Sequence, residues 1–250
     1  MSDAARLRGM LASGSPVTWV MTGDPITQGL FHTHGERNYV DHLHELIRGD
    51  LGRVQDVVMN TAISGWRLDA ILDDFDRRVS AWRPDVVTVM IGTNDCSTKW
   101  PERLVELADF SERIDDFIDR VRLWGAIPVL QTPPYADLAH APDRARLGSF
   151  AQEMRDIAGT RGALLIDQYS FYEEFAAASS FDGDPVPWGL LSDAFHPNAA
   201  GHAALALNLA GGLGLVSDGS RVVADLSARV DLARRPRWSS QPSSTHEHPR

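Results

Sequence analysis

A single cysteine, Cys96, leaves the chain unable to form an intrachain disulfide, and nothing in it points to an oxidising compartment. It also has no apolar run long enough to cross a bilayer. The first residues, Met1–Gly14, are charged and poor in apolar side chains, unlike a signal peptide. A cytoplasmic protein without membrane contact is the expectation. Positive charge is scarce as well: the formal net charge is −10, and the only basic run is the short Arg234–Arg237 stretch. Nucleic-acid and anionic-membrane binding rely on clustered Lys and Arg, which argues against both and for a small-molecule substrate or ligand. There are no internal repeats, and nothing in the sequence sets an oligomeric state.

What is present suits one α/β domain. With 250 residues and 43% hydrophobic side chains, the chain can bury one substantial core. Short runs rich in β-branched residues read as buried parallel strands at Thr18–Thr22, Asp56–Asn60, Asp85–Gly92, Ile127–Thr132 and Ala163–Asp167. Helical periodicity lies between them. Tyr39, Val40, Leu43, Leu46 and Ile47 share a face within Glu36–Gly49, as do Leu104, Leu107, Ile114, Phe117, Ile118 and Val121 further on. Alternation of strand and helix predicts a three-layer α/β/α sandwich around a mainly parallel five-stranded sheet, flavodoxin-like in plan. We divide the chain into a lead-in at 1–16, the domain at 17–216 and a polar extension at 217–250. The Pro-, Ser- and Arg-rich end from Arg234 is expected to be disordered.

In such sheets ligands bind beyond the carboxyl ends of the strands. The distinctive short motifs fall there: Gly23-Asp24-Pro25 after the first strand, Ala62–Gly65 after the second, Gly92–Asp95 after the third. Met21-Thr22-Gly23-Asp24-Pro25-Ile26-Thr27 resembles the first block of the SGNH (GDSL-type) hydrolases, Gly-Asp-Ser-Ile-Thr, at every position but one. Asn60-Thr61-Ala62-Ile63-Ser64-Gly65 is similar to the second block, and Ile91-Gly92-Thr93-Asn94-Asp95 to the third. Asp193-Ala194-Phe195-His196-Pro197-Asn198, followed by Gly201-His202, resembles the last. Four blocks in family order, from residue 21 to 202, cover most of the chain.

The resemblance implies an acyl-transfer site: His196 as base, Asp193 orienting it, Gly65 and Asn94 as oxyanion donors, and no metal or cofactor. The departure is Pro25. In the family that position is the serine, which supplies both the nucleophilic hydroxyl and a backbone oxyanion N–H, and proline has neither. Proline does fit the backbone there: with Asp24 as N-cap, Pro25 takes the first helical position, where no N–H is needed. Thr22, Thr27 and Ser64 are the nearest other hydroxyls, and Thr27 lies roughly 200° around a helix from position 25.

Three functions stay open. An ester hydrolase acting on a small acyl ester would need His196 to activate water directly. A repurposed acid/base enzyme would use His196 with Asp193, with Asp24 as a supporting group, in an elimination or cyclisation. A pseudoenzyme would bind a ligand or partner without turnover. His32 and His34 are a weak metal pattern and read as loop residues. Trp66, Trp100 and Trp188 read as core or rim packing, or as an apolar wall for a ligand. Phe181–Leu190, rich in Gly and Pro, reads as a specificity loop beside the His196 block.

Overall fold

Five strands form one fully parallel sheet: β1 (Thr18–Gly23), β2 (Val57–Asn60), β3 (Val86–Met90), β4 (Ile127–Gln131) and β5 (Leu164–Ile166), in spatial order β2-β1-β3-β4-β5. The structure is a computed structural model that describes residues 2–29, 32–179 and 188–234. The chain steps from β1 outward to β2 and then returns to the other side of β1 as β3. That reversal opens a crevice beyond the carboxyl ends of β1 and β3, where an open α/β sheet binds its ligand.

Strand alternation divides the core in two. Trp19 and Met21 point to one face of the sheet and Val20 to the other, and β3 does the same with Met90 against Val87 and Val89. The first face is covered by α1 (Asp3–Ser13), α3 (Tyr39–Glu45), α8 (Gln168–Ser179), α9 (Ala199–Gly212) and α10 (Arg221–Ala233). The second is covered by α4 (Leu68–Asp73), α5 (Phe75–Arg78), α6 (Leu107–Leu123) and α7 (Leu147–Arg161). The short α2 (Pro25–Gln28) follows β1 directly. This is the expected α/β/α sandwich, with every expected strand in place.

Several expectations need correcting in detail. β2 is an edge strand with an exposed Val57, because its β-branched run has a partner on one side only. The helix expected over Glu36–Gly49 starts at Tyr39, where Asn38 and Asp41 form a reciprocal capping box, and it ends in a π-turn over Leu46–Asp50. Leu104 is exposed and lies before α6, following a 3₁₀ turn at Pro101–Arg103. The flanks are structured: α1 buries Leu7, and the polar stretch after residue 217 forms α10, which buries Leu226 and Val230 in the first core. The expected disorder from Arg234 onward falls, beyond Arg234 itself, outside the described residues. So does most of the expected loop at Phe181–Leu190, of which Trp188–Leu190 forms a 3₁₀ turn. Among the described residues no helix is long and apolar enough to cross a membrane.

Candidate active site

β1 runs into its motif with little freedom. Gly23 sits at φ +152°, and a Cβ there would lie 2.4 Å from the carbonyl oxygen of Met90 on β3, so only glycine lets the two strand ends stay this close. Asp24 then caps α2, its carboxylate accepting from the Ile26 N–H at 3.0 Å, and Pro25 occupies the first helical position. The fold therefore accommodates proline where the motif has serine.

The second motif is stitched to the first by backbone and side-chain bonds. Thr61 N–H donates to Met21 O at 2.9 Å and Ile63 N–H to Gly23 O at 3.2 Å. Asn60 donates to Thr27 O at 2.7 Å, and Ser64 N–H donates to the Gln28 side chain at 2.8 Å. Gly65 takes a left-handed φ of +79° with open space where a side chain would be, and no acceptor among the described residues takes its N–H. Asn94 donates one amide hydrogen to Trp66 O at 3.0 Å, and among the described residues nothing accepts its other amide hydrogen. Asp95, buried, holds the second and third loops together by accepting from Leu68 N–H at 3.0 Å and Gly92 N–H at 3.2 Å.

The last motif is organised around Asp193. One carboxylate oxygen accepts from the backbone N–H groups of Phe195 at 3.0 Å and His196 at 2.8 Å, and the other lies 2.7 Å from His196 Nδ1. With Nδ1–H directed to the carboxylate, Nε2 keeps its lone pair. The loop is anchored on both sides: Asp137 N–H donates to Ala194 O at 2.8 Å, and Asn198 caps α9 through Gly201 N–H. His202, on α9, accepts from Tyr39 N–H at 3.2 Å and so ties this loop to α3. His32 stacks face to face on His196, with centroids 3.4 Å apart and planes 5° from parallel. Nothing in the sequence signalled that contact, because it depends on two loops meeting.

The GDSL-like lipase/acylhydrolase family model matches residues 21–204, which spans all four motifs. The chain belongs to this family. It is 24% identical over 203 residues to an acetylxylan esterase from Geobacillus stearothermophilus, covering 79% of this chain and 90% of that protein. A crystal structure of that esterase superposes with a TM-score of 0.70 at 23% identity, covering 82% of this chain and 98% of the other. A lipase/acylhydrolase from Enterococcus faecalis gives a TM-score of 0.63 at 23% identity, over 80% and 97% of the two chains.

Electrostatics separates the carboxylates of this GDSL-family site. Burial alone would raise Asp193, but the N–H groups of Phe195 and His196 and the adjacent imidazole outweigh it and hold the group below the ordinary 3.8. Burial lowers His196 below 6.5; Asp193 opposes that shift, while His32 and Arg144 reinforce it. The neutral imidazole is therefore favoured. Asp24 differs: full burial raises it from 3.8 to about 7, and among the described residues one of its oxygens has no hydrogen-bond partner. A carboxyl whose folded pKa exceeds its unfolded value contributes stability that is complete below pH 3.8 and lost as pH rises through about 7. Asp24→Asn keeps a cap acceptor and removes that loss. Its melting temperature relative to the unaltered protein should be higher at pH 8 than at pH 4, and equal offsets at the two pH values would refute the assignment.

Of the nearest other hydroxyls, Ser64 is exposed, whereas the two threonines are closed off. Thr27 is fully buried and hydrogen-bonded to the Tyr39 hydroxyl at 2.9 Å, and Thr22 is buried at the strand end. Ligand atoms of His32, Asp193 and His196 lie within 4.8 Å of one another, a spacing that suits a cation. The parallel stacking of the two imidazoles opposes it, since an ion between them would lie off both ring planes and miss their lone pairs. Of the three tryptophans, Trp66 packs on the second core, Trp188 is exposed against His140, and Trp100 walls a cavity beside Gly65 and Asn94.

Proposed function

We propose that the chain hydrolyses small acyl esters through direct attack by a water that His196 deprotonates, with no covalent acyl-enzyme. Asp193 orients the imidazole, and the Gly65 N–H together with the other amide hydrogen of Asn94 receives the developing oxyanion. The observation that carries this reading is the His196–Asp193 pair, held at 2.7 Å with two further backbone bonds to the carboxylate. A binding protein has no use for a neutral, oriented base of this kind. In the Geobacillus esterase, a serine-to-alanine and a histidine-to-alanine substitution each give what is described as a catalytic mutant. This chain retains the histidine side of that arrangement and has Pro25 in the motif position of the serine.

The pH dependence tests the proposal. The base must be neutral, and His196 lies below 6.5, so kcat/KM for an activated ester should be level above pH 6.5 and decline about tenfold per pH unit below the lowered value. A rate that instead rises in proportion to hydroxide across the whole range, in the unaltered protein and in His196→Ala alike, would overturn it. Absence of any ester turnover would favour the proton-transfer or binding readings instead.

A further inference from the structure

A cavity of about 230 Å³ opens at the Gly65–Asn94 end of the site, and four cationic side chains line it: Arg67, Lys99, Arg103 and Arg144. No carboxylate is among the described residues that line it. That is unexpected in a chain with formal net charge −10, where most arginines could find an acid, and Lys99 is the only lysine in the sequence.

Three of the four cations are not consumed by the fold. Arg144 pairs with Asp143, but among the described residues Arg67, Lys99 and Arg103 form no ion pair. Arg67 donates to the Arg103 carbonyl, and the Lys99 ammonium lies 5.6 Å above the Trp100 ring. Arg144 is 7% exposed; its Nη1 donates to Ser97 and Asp143, and among the described residues its Nε has no acceptor. A buried guanidinium N–H left without a partner is unfavourable unless a ligand supplies the acceptor. Arg144 also lies 4.5 Å over the ring of Phe195, next to His196, which sets the cationic cavity beside the base.

We propose that this cavity binds an oxyanion group, a carboxylate, sulfate or phosphate, carried by the ester substrate. The volume suits a small charged group rather than a long acyl chain. An acidic protein repels anions over most of its surface, so a cationic cavity would also direct such a substrate to the site. The ester part of this inference rests on the hydrolytic reading above, while the anion site does not.

Two measurements separate the claims. In the first, the melting temperature is followed against sodium sulfate and sodium phosphate, with sodium chloride at matched ionic strength as reference. It uses the unaltered protein and the double variant Lys99→Gln/Arg103→Gln, whose substituted side chains are both exposed. A saturable rise confined to the unaltered protein is expected, and an equal rise in both proteins overturns the site. In the second, kcat/KM is compared for para-nitrophenyl acetate and a para-nitrophenyl monoester of glutaric acid. The charged ester should be preferred about tenfold or more, with the ratio falling toward unity in the double variant. Sulfate binding without that preference would assign the cavity to a free anion and overturn the substrate claim. Sulfate binding lost in the double variant, with neither ester hydrolysed, would support the anion site and count against hydrolysis alone.

Discussion

Pro25→Ser is expected to raise the rate of ester hydrolysis by roughly 10³-fold or more, because it restores two groups at once. A backbone oxyanion donor is worth about 10²–10³ in rate, and a serine nucleophile far more in enzymes built around one. The fold should accept the change. Asp24 caps α2 through Ile26 N–H whether or not position 25 is proline, and the first helical N–H has no partner within a helix in any case. Serine loses only proline's restriction of the unfolded chain, an effect below about 1 kcal/mol. Steady-state kinetics on para-nitrophenyl acetate, with a melting curve to confirm folding, checks the prediction. A stable Pro25→Ser protein with unchanged rate would mean that the first and last motifs do not meet in working geometry.

His196→Ala is expected to reduce the activity of the unaltered protein by about 10²–10⁴, the range of a positioned general base. Asp193→Asn should approach the same loss for a separate reason. Its amide oxygen can still accept from Phe195 and His196 N–H, which keeps the loop, but its NH₂ would face His196 Nδ1 in place of a carboxylate oxygen. The imidazole would then turn to the tautomer with its proton on Nε2, and the lone pair that takes the water's proton would be lost. A fall of less than about threefold in kcat for both variants, relative to that general-base range, would remove His196 from the chemistry.

Much of this was legible in the sequence because the groups that matter are contiguous. Asp193 and His196 stand three apart in one loop, so their pairing needs only local backbone bonds, and Asn198 marks the start of α9 by capping it. The Asp24–Pro25 helix start was readable for the same reason. What escaped the sequence depends on distant segments meeting. His32 stacks on His196 only because the stretch after α2 folds over the last loop. The cationic cavity gathers Arg67, Lys99, Arg103 and Arg144 from three separate loops, each unremarkable in its own neighbourhood. The stretch after residue 217 looked like a polar extension because two buried positions, Leu226 and Val230, are enough to dock α10 on the core but too few to stand out in its composition.

The central claim is that hydrolysis here proceeds without an acyl-enzyme, and intact-protein mass spectrometry during turnover of para-nitrophenyl acetate tests it most directly. The unaltered protein should release nitrophenol in a His196-dependent manner while its mass stays unchanged, and Pro25→Ser should acquire an acetyl adduct on the way to product. A kinetically competent acetyl adduct on the unaltered protein would contradict the account.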